Sequence, residues 1–182
     1  MKRRIHILGA SGSGTTSIAK AVCKQTSYTH FDTDDYLWMP TEVPFTHLRP
    51  VEERISLMEY DLGACEKWVN SGSLMSWGNT IIPLFDLVVF VYVPHDVRME
   101  RLQRREVERY GDTILPGGSR YESSQEFINW AATYDAGTSP TGRNLQKHRA
   151  WLKNITCDIL EIVNHDFEES VRAVVNATTG CV

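Results

Sequence analysis

Gly9-Ala10-Ser11-Gly12-Ser13-Gly14-Thr15-Thr16 is the stretch that decides the fold. It follows the apolar run Ile5-His6-Ile7-Leu8 and leads into Ser17-Ile18-Ala19-Lys20-Ala21-Val22. That order reads as strand, glycine-rich turn, helix. The spacing fits the pattern G-x-x-x-x-G-K-[ST] at every defined position but one, because Thr15 stands where the lysine belongs. Glycines let backbone wrap closely around phosphate oxygens. Successive N–H groups then point inward, and the helix N-terminus adds partial positive charge. Gly9, Ser11, Gly12, Ser13, Gly14, Thr15 and Thr16 are therefore the candidate nucleotide-phosphate contacts, and the Thr16 hydroxyl is a candidate Mg²⁺ ligand. The lost lysine removes a point charge from the β- and γ-phosphates. Another residue must supply it if phosphate is transferred.

The bulk numbers bound what such a loop serves. The chain has 182 residues, enough for one domain with a sizeable core. It is 42% hydrophobic and 23% charged, with a formal net charge of -4. No basic field favours nucleic acid or an anionic membrane. Met1-Lys2-Arg3-Arg4 resembles a signal n-region, but only four apolar residues follow before the glycines. The longest apolar run, residues 87–93, is strand-sized and too short to span a bilayer. Cys23, Cys65, Cys157 and Cys181 show no C-x-x-C pairing. They read as reduced, mostly buried thiols in a cytoplasmic protein.

Strands and helices alternate along the chain, which implies an α/β architecture with a parallel sheet covered on both faces. Strands are predicted over residues 3–8, 28–31, 68–71, 86–93 and 158–163. Helices are predicted over residues 14–25, 50–66, 95–110, 122–134, 143–154 and 167–176. In the second of these, Ile55, Leu57, Met58, Leu62 and Cys65 supply the apolar face. Residues 111–120, with Pro116-Gly117-Gly118, read as a flexible excursion.

Ligands of open parallel sheets bind beyond the carboxyl ends of the strands. The second strand ends at Asp32-Thr33-Asp34-Asp35 and the third at Ser71-Gly72-Ser73. Three carboxylates in four residues repel one another unless liganded, although Asp is also common in turns and at helix starts. Asp32 is the candidate for holding Mg²⁺ through water, and Asp34 for orienting an acceptor hydroxyl. Arg101 and Arg105 lie four apart on one helix face. They either clamp phosphates and stack on a base, or belong to a solvated face paired with Glu100, Glu106 and Glu108. Gly72, Trp38 and Arg49 are candidate acceptor contacts, with packing or surface exposure as the alternative for Trp38 and Arg49.

Together these residues resemble the P-loop small-molecule and nucleoside monophosphate kinases. Arg101-Leu102-Gln103-Arg104-Arg105 looks like the start of the lid of that family, and Asp32-Thr33-Asp34 is similar to the D-x-D of shikimate kinases. Residues 31–38 with Trp68-Val69-Asn70-Ser71-Gly72-Ser73 also resemble the bacterial adenylate-kinase-like proteins often labelled topology modulation proteins. The resemblance implies a three-layer P-loop NTPase fold with strand order 2-3-1-4-5. It implies an acceptor-binding region at about residues 35–67 and a lid at about 106–140. Two features depart from the family. Thr15 replaces the loop lysine, as in some archaeal adenylate and cytidylate kinases. The adenylate-kinase motif Asp-Gly-[FY]-Pro-Arg is absent, with Ser71-Gly72-Ser73-Leu74-Met75 in its place.

The expected activity is ATP- and Mg²⁺-dependent phosphoryl transfer to a small acceptor, either a nucleoside monophosphate or a hydroxylated metabolite. Arg101 would stack on the base, Arg105 would neutralise charge, and Arg120 or Arg143 would close from the lid side. The alternative is a nucleotide-binding sensor or regulatory ATPase without kinase turnover, which the Thr15 substitution favours.

Overall fold

The computed structural model describes residues 1–138 and 143–180. Five strands form an all-parallel sheet in the order β2-β3-β1-β4-β5. They are β1 (Arg4–Gly9), β2 (Thr29–Asp32), β3 (Trp68–Ser71), β4 (Leu87–Tyr92) and β5 (Asp158–Val163). The helices are α1 (Thr15–Gln25), α2 (Thr33–Leu37), α3 (Val51–Gly63), α4 (His95–Tyr110), α5 (Tyr121–Ala132), α6 (Leu145–Leu152) and α7 (Phe167–Thr179). The three-layer architecture and strand order expected from the sequence are those observed.

Alternation along the strands divides the core in two. Leu87, Val89 and Val91 of β4 join Ile5 and Ile7 of β1 against Ile18 and Val22 of α1 and Val171 and Val174 of α7. Val88 and Phe90 face the other way, with Leu8, Trp68 and Phe85, against Met58 and Leu62 of α3 and Trp151 of α6. Burial on both faces explains why β4 reads as an unbroken apolar run. The strand covers six residues, Leu87–Tyr92, and stops one residue short of the apolar run that ends at Val93.

Several boundaries differ from expectation for local reasons. α2 was not anticipated: Asp32 caps it, its Oδ1 accepting from the Asp34 N–H at 3.1 Å. α6 starts at Leu145 because Asn144 is its cap, accepting from the Lys147 N–H at 2.8 Å, so Arg143 precedes the helix. The buried line of α3 is Arg54, Met58 and Leu62, spaced by four. Leu57 falls beside that line and is exposed. A 3-10 turn at Gly111–Ile114 occupies the expected excursion. Cys23, Cys65 and Cys157 are free thiols, as read, but half-buried rather than buried. Ser139 and Pro140, at the end of the expected lid, and Cys181 lie outside the described residues. Among the described residues no helix is long and apolar enough to cross a membrane.

Candidate functional site

The strand register gathers the candidate residues. Asp32 pairs in register with Ser71, and Ser71 with Ile7, two residues before Gly9. The carboxyl ends of β1, β2 and β3 therefore open onto one face. Two clefts of about 460 and 300 Å³ lie elsewhere, the first lined by Lys2, Arg3, Asp86 and Asp158 and the second by Arg4, Glu59 and Trp68. Both sit towards the amino ends of the strands. The chemistry-bearing groups, not these cavities, locate the site.

The loop after β1 has the backbone that its glycines require. Gly12 and Gly14 have φ of 84° and 89°, in the left-handed region. A Cβ at Gly12 would lie 2.9 Å from Arg98 and Leu102 of α4, so the loop lies against that helix too closely for any side chain. A Cβ at Gly9 would meet Ser13 Oγ and the Val91 carbonyl, both at 2.5 Å. Ser13 is fully buried and its N–H donates to the Ala10 carbonyl at 3.0 Å. Ser11 and Thr15 are partly exposed beside the open loop. The N–H groups of Gly12 and Gly14 have no partner among the described residues, and α1 starts at Thr15. This cradle suits an anion at a helix N-terminus.

Thr16 and Asp32 meet directly, Thr16 Oγ1 donating to Asp32 Oδ2 at 2.9 Å. Ser71 Oγ adds a longer contact to the same oxygen at 3.4 Å, and His30 Nε2 lies 2.9 Å from that hydroxyl. Asp34 has a different environment. Its side chain reaches the surface, yet protein atoms crowd around it. That burial, and then the Asp32 carboxylate, raise its pKa above the ordinary aspartate value; Arg143 and Arg105 oppose the rise. Among the described residues no group of three or more His, Cys, Asp or Glu side chains has metal-binding geometry. A hydroxyl and one carboxylate completed by water and phosphate oxygens is the coordination mode in which Mg²⁺ keeps several non-protein ligands. The Thr16–Asp32 pair fits that mode.

α4 sorts its arginines by face. Arg98, Leu102 and Glu106 are buried at intervals of four. Arg104 lies on the solvated face, 3.8 Å from Glu108. Arg101 and Arg105 form a further line. Arg101 Nη2 donates to the Asn164 carbonyl at 3.3 Å, and Arg105 lies 5.4 Å from the Phe127 ring centroid. Among the described residues no carboxylate lies within 4 Å of either guanidinium. Arg143 packs 5.4 Å from the Trp130 ring, and Arg120 lies 4.0 Å from that of Tyr110. Burial lowers the pKa of Arg105 and of Arg143, and Asp34 acts on both in the opposite direction.

The acceptor candidates divide. Arg49 is engaged by the chain itself: Nε donates to the Tyr36 carbonyl at 3.1 Å and Nη2 to that of Trp38 at 3.4 Å. Trp38 is half-buried and packs edge-on against Phe45 at 6.0 Å. Gly72, with φ of 115°, leaves no room for a side chain beside Thr33. Thr33 Oγ1 in turn donates to the Ser71 carbonyl.

Sequence reasoning passed over Arg98 and Asn164, both buried against the loop. Arg98 Nη1 donates to the carbonyls of Ser11 (3.3 Å) and Ala131 (3.0 Å), and Nη2 to Asp135 at 2.5 Å. Asn164 Nδ2 donates to the Ser13 carbonyl at 2.9 Å. The four-residue spacing Arg98-Leu102-Glu106 was the available signal for Arg98. Asn164, directly after β5, carried none.

No family model matches the chain. It is 46% identical over 163 residues, 89% of each chain, to the uncharacterized protein YqaC of Bacillus subtilis (strain 168). Among solved structures it is similar to a shikimate kinase from Bacteroides thetaiotaomicron, with a TM-score of 0.56 and 16% identity over 97% of this chain and 98% of that one. A shikimate kinase from Acinetobacter baumannii in complex with shikimate gives 0.53 at 11% identity, covering 98% and 93%. A gluconokinase from Sinorhizobium meliloti 1021 gives 0.52 at 16% identity, covering 98% and 92%. At these identities the structural likeness establishes the fold. The chain belongs to the family of Bacillus subtilis YqaC and has the fold of the P-loop kinases.

Proposed function

We propose that the protein transfers the γ-phosphoryl group of ATP, with Mg²⁺, to a small acceptor bound over residues 35–67 beneath a lid at residues 106–140. One observation carries the reading: adjacent carboxylates have separate surroundings. Asp32 is committed to the Thr16 hydroxyl and the Asp34 N–H. The Asp34 carboxylate accepts no hydrogen bond from the described residues and feels Arg143 and Arg105. Environments that separate two carboxylates separate their tasks.

In this reading the loop from Gly9 to Thr16 holds the phosphates through backbone N–H groups. Thr16 and Asp32 hold Mg²⁺, Asp32 through water. The bound ion supplies neutralisation of phosphate charge. Asp34 orients the acceptor hydroxyl and receives its proton. Arg101 reaches the base, while Arg105 and Arg143 stabilise charge on the transferring group, a duty that Thr15 cannot perform. Arg120 closes from the lid side. Trp38 and Gly72 line the acceptor side, and Arg49 shapes that wall through its carbonyl contacts.

The segment Ser71-Gly72-Ser73-Leu74-Met75 offers no charge to a nucleotide acceptor, so a hydroxylated metabolite suits the site better than AMP. The structural neighbours named for shikimate and gluconate, both small hydroxylated molecules, support that class. The sensor reading rests on Thr15 alone. An acceptor screen scoring ADP release from ATP, with hydroxylated metabolites and nucleoside monophosphates in parallel, separates the two. A kinase shows acceptor-dependent ADP; a sensor binds ATP and shows none.

A further inference from the structure

The described backbone contains no cis peptide bond. In a planar trans peptide the carbonyl of one residue and the N–H of the next point in opposite directions. Whatever holds a carbonyl on one side therefore aims the following N–H to the other. Two carbonyls of the glycine-rich loop are held from behind by buried side chains. Arg98 Nη1 lies 3.3 Å from the Ser11 oxygen, and Asn164 Nδ2 lies 2.9 Å from the Ser13 oxygen. The N–H groups that follow belong to Gly12 and Gly14, the two left-handed glycines. Both N–H groups lack a partner among the described residues.

We infer that Arg98 and Asn164 are positioning residues of the phosphate loop, which fix the peptide planes at 11–12 and 13–14 so that the Gly12 and Gly14 N–H groups converge on an anion. The inference rests on the phosphate-binding reading of that loop. Each holder is itself secured. Asn164 is 2% exposed, and its Oδ1 accepts from Ser170 Oγ at 3.2 Å. Its Nδ2 would lie 3.0 Å from a Cβ at Gly14, so it packs directly behind that glycine. Arg98 is fully buried and also bonds the Ala131 carbonyl and the Asp135 carboxylate. It therefore ties the loop to the end of α5, the helix that begins directly after residues 111–120. A loop without its lysine depends more heavily on N–H direction, and these two side chains set it.

The test compares wild type with Asn164→Leu, which removes the donor and denies water its place, and with Arg98→Lys, which keeps the buried charge but cannot reach all three acceptors. Titrations use ATP and inorganic tripolyphosphate, well below each variant's Tm. Both variants should lose at least about tenfold in affinity, by the same factor for both probes, because the defect lies in the cradle and not at the base. In the ligand-free protein the Gly14 amide resonance of Asn164→Leu, and the Gly12 resonance of Arg98→Lys, should broaden or split while core resonances stay single. If Arg98→Lys does not fold, Asn164→Leu decides alone. A lower Tm with unchanged affinity and unchanged glycine amides would overturn the inference. Absence of wild-type binding to either probe would instead overturn the phosphate-binding reading, and the amide resonances would still decide whether these side chains set the loop.

Discussion

Asp34 and Thr15 carry the two decisive tests at the scale of the residue. Asp34→Asn keeps the shape of the side chain but removes its charge and basicity. Phosphoryl transfer to the acceptor should fall by about 10²-fold or more, the usual size of a general-base contribution. ATP affinity, made by the loop, should change little. Measuring both on one folded preparation checks this, and equal loss of the two would move Asp34 into the metal site. Thr15→Lys restores the ordinary loop sequence. If Arg105 and Arg143 already supply the charge that faces Asp34, a further cation should leave turnover unchanged or lower it. A large gain in turnover would favour the sensor.

At the scale of the element, α2 couples local folding to the proposed metal site. Asp32 ends β2, caps α2 and accepts from Thr16. Asparagine caps a helix about as well as aspartate. Asp32→Asn should therefore retain stability within about 0.5 kcal/mol while raising the Mg²⁺ concentration needed for half-maximal turnover. Asp32→Ala should show the same Mg²⁺ defect and also lose about 1 kcal/mol for the missing cap. Urea denaturation and a Mg²⁺ titration of both variants separate the two duties. Similar stability of Asn and Ala variants would show that the cap contributes nothing.

At the scale of the whole molecule, stability should depend on pH through two buried histidines. His6 is fully buried and stacked 4.9 Å from Phe85, and among the described residues neither ring nitrogen has a hydrogen-bond partner. Burial, and then His148, push its pKa down to about 3, against a smaller opposing influence of Asn70. His148 lies 2.6 Å from the Tyr134 hydroxyl, and burial followed by the Arg143 charge brings its pKa to about 4. Both rings accept protons near 6.5 in the unfolded chain. Below that pH the unfolded state binds more protons, so stability is full above pH 6.5 and falls as pH drops towards 4. The raised pKa values of Asp34 and Asp35 act in the opposite sense, from positions open to the surface. Between pH 7.5 and 5.0 each histidine should remove about 2 kcal/mol. His6→Phe keeps a stacked ring without ionisable nitrogens and should lose about that much less over the same interval. Equal pH slopes in urea denaturation would place the acid sensitivity elsewhere.

The alternation of strands and helices, the register-free order of elements and the glycine-rich loop were legible because they rest on local rules. Apolar periodicity names an element, and the glycines at 9, 12 and 14 answer to backbone sterics within a few residues. The cluster of Asp32 and Asp34 was visible as well, but not that Asp32 alone ends β2 while Asp34 falls in the first turn of α2. The roles of the arginines were not. Arg98, Arg101 and Arg104 are chemically identical and lie within two helical turns. Their fates depend on whether α4 turns each towards the loop, the Asn164 carbonyl or solvent. The contacts of Arg49 with the carbonyls of Tyr36 and Trp38, and the close approach of Gly72 to Thr33, were equally invisible along the chain. Asn164 lies 151 residues from Ser13 in sequence, and no pattern along the chain connects them. Sequence alone determined which groups are available and which elements carry them. The tertiary structure decided which backbone oxygens and charges meet, because burial and donor direction depend on contacts between segments distant in the chain.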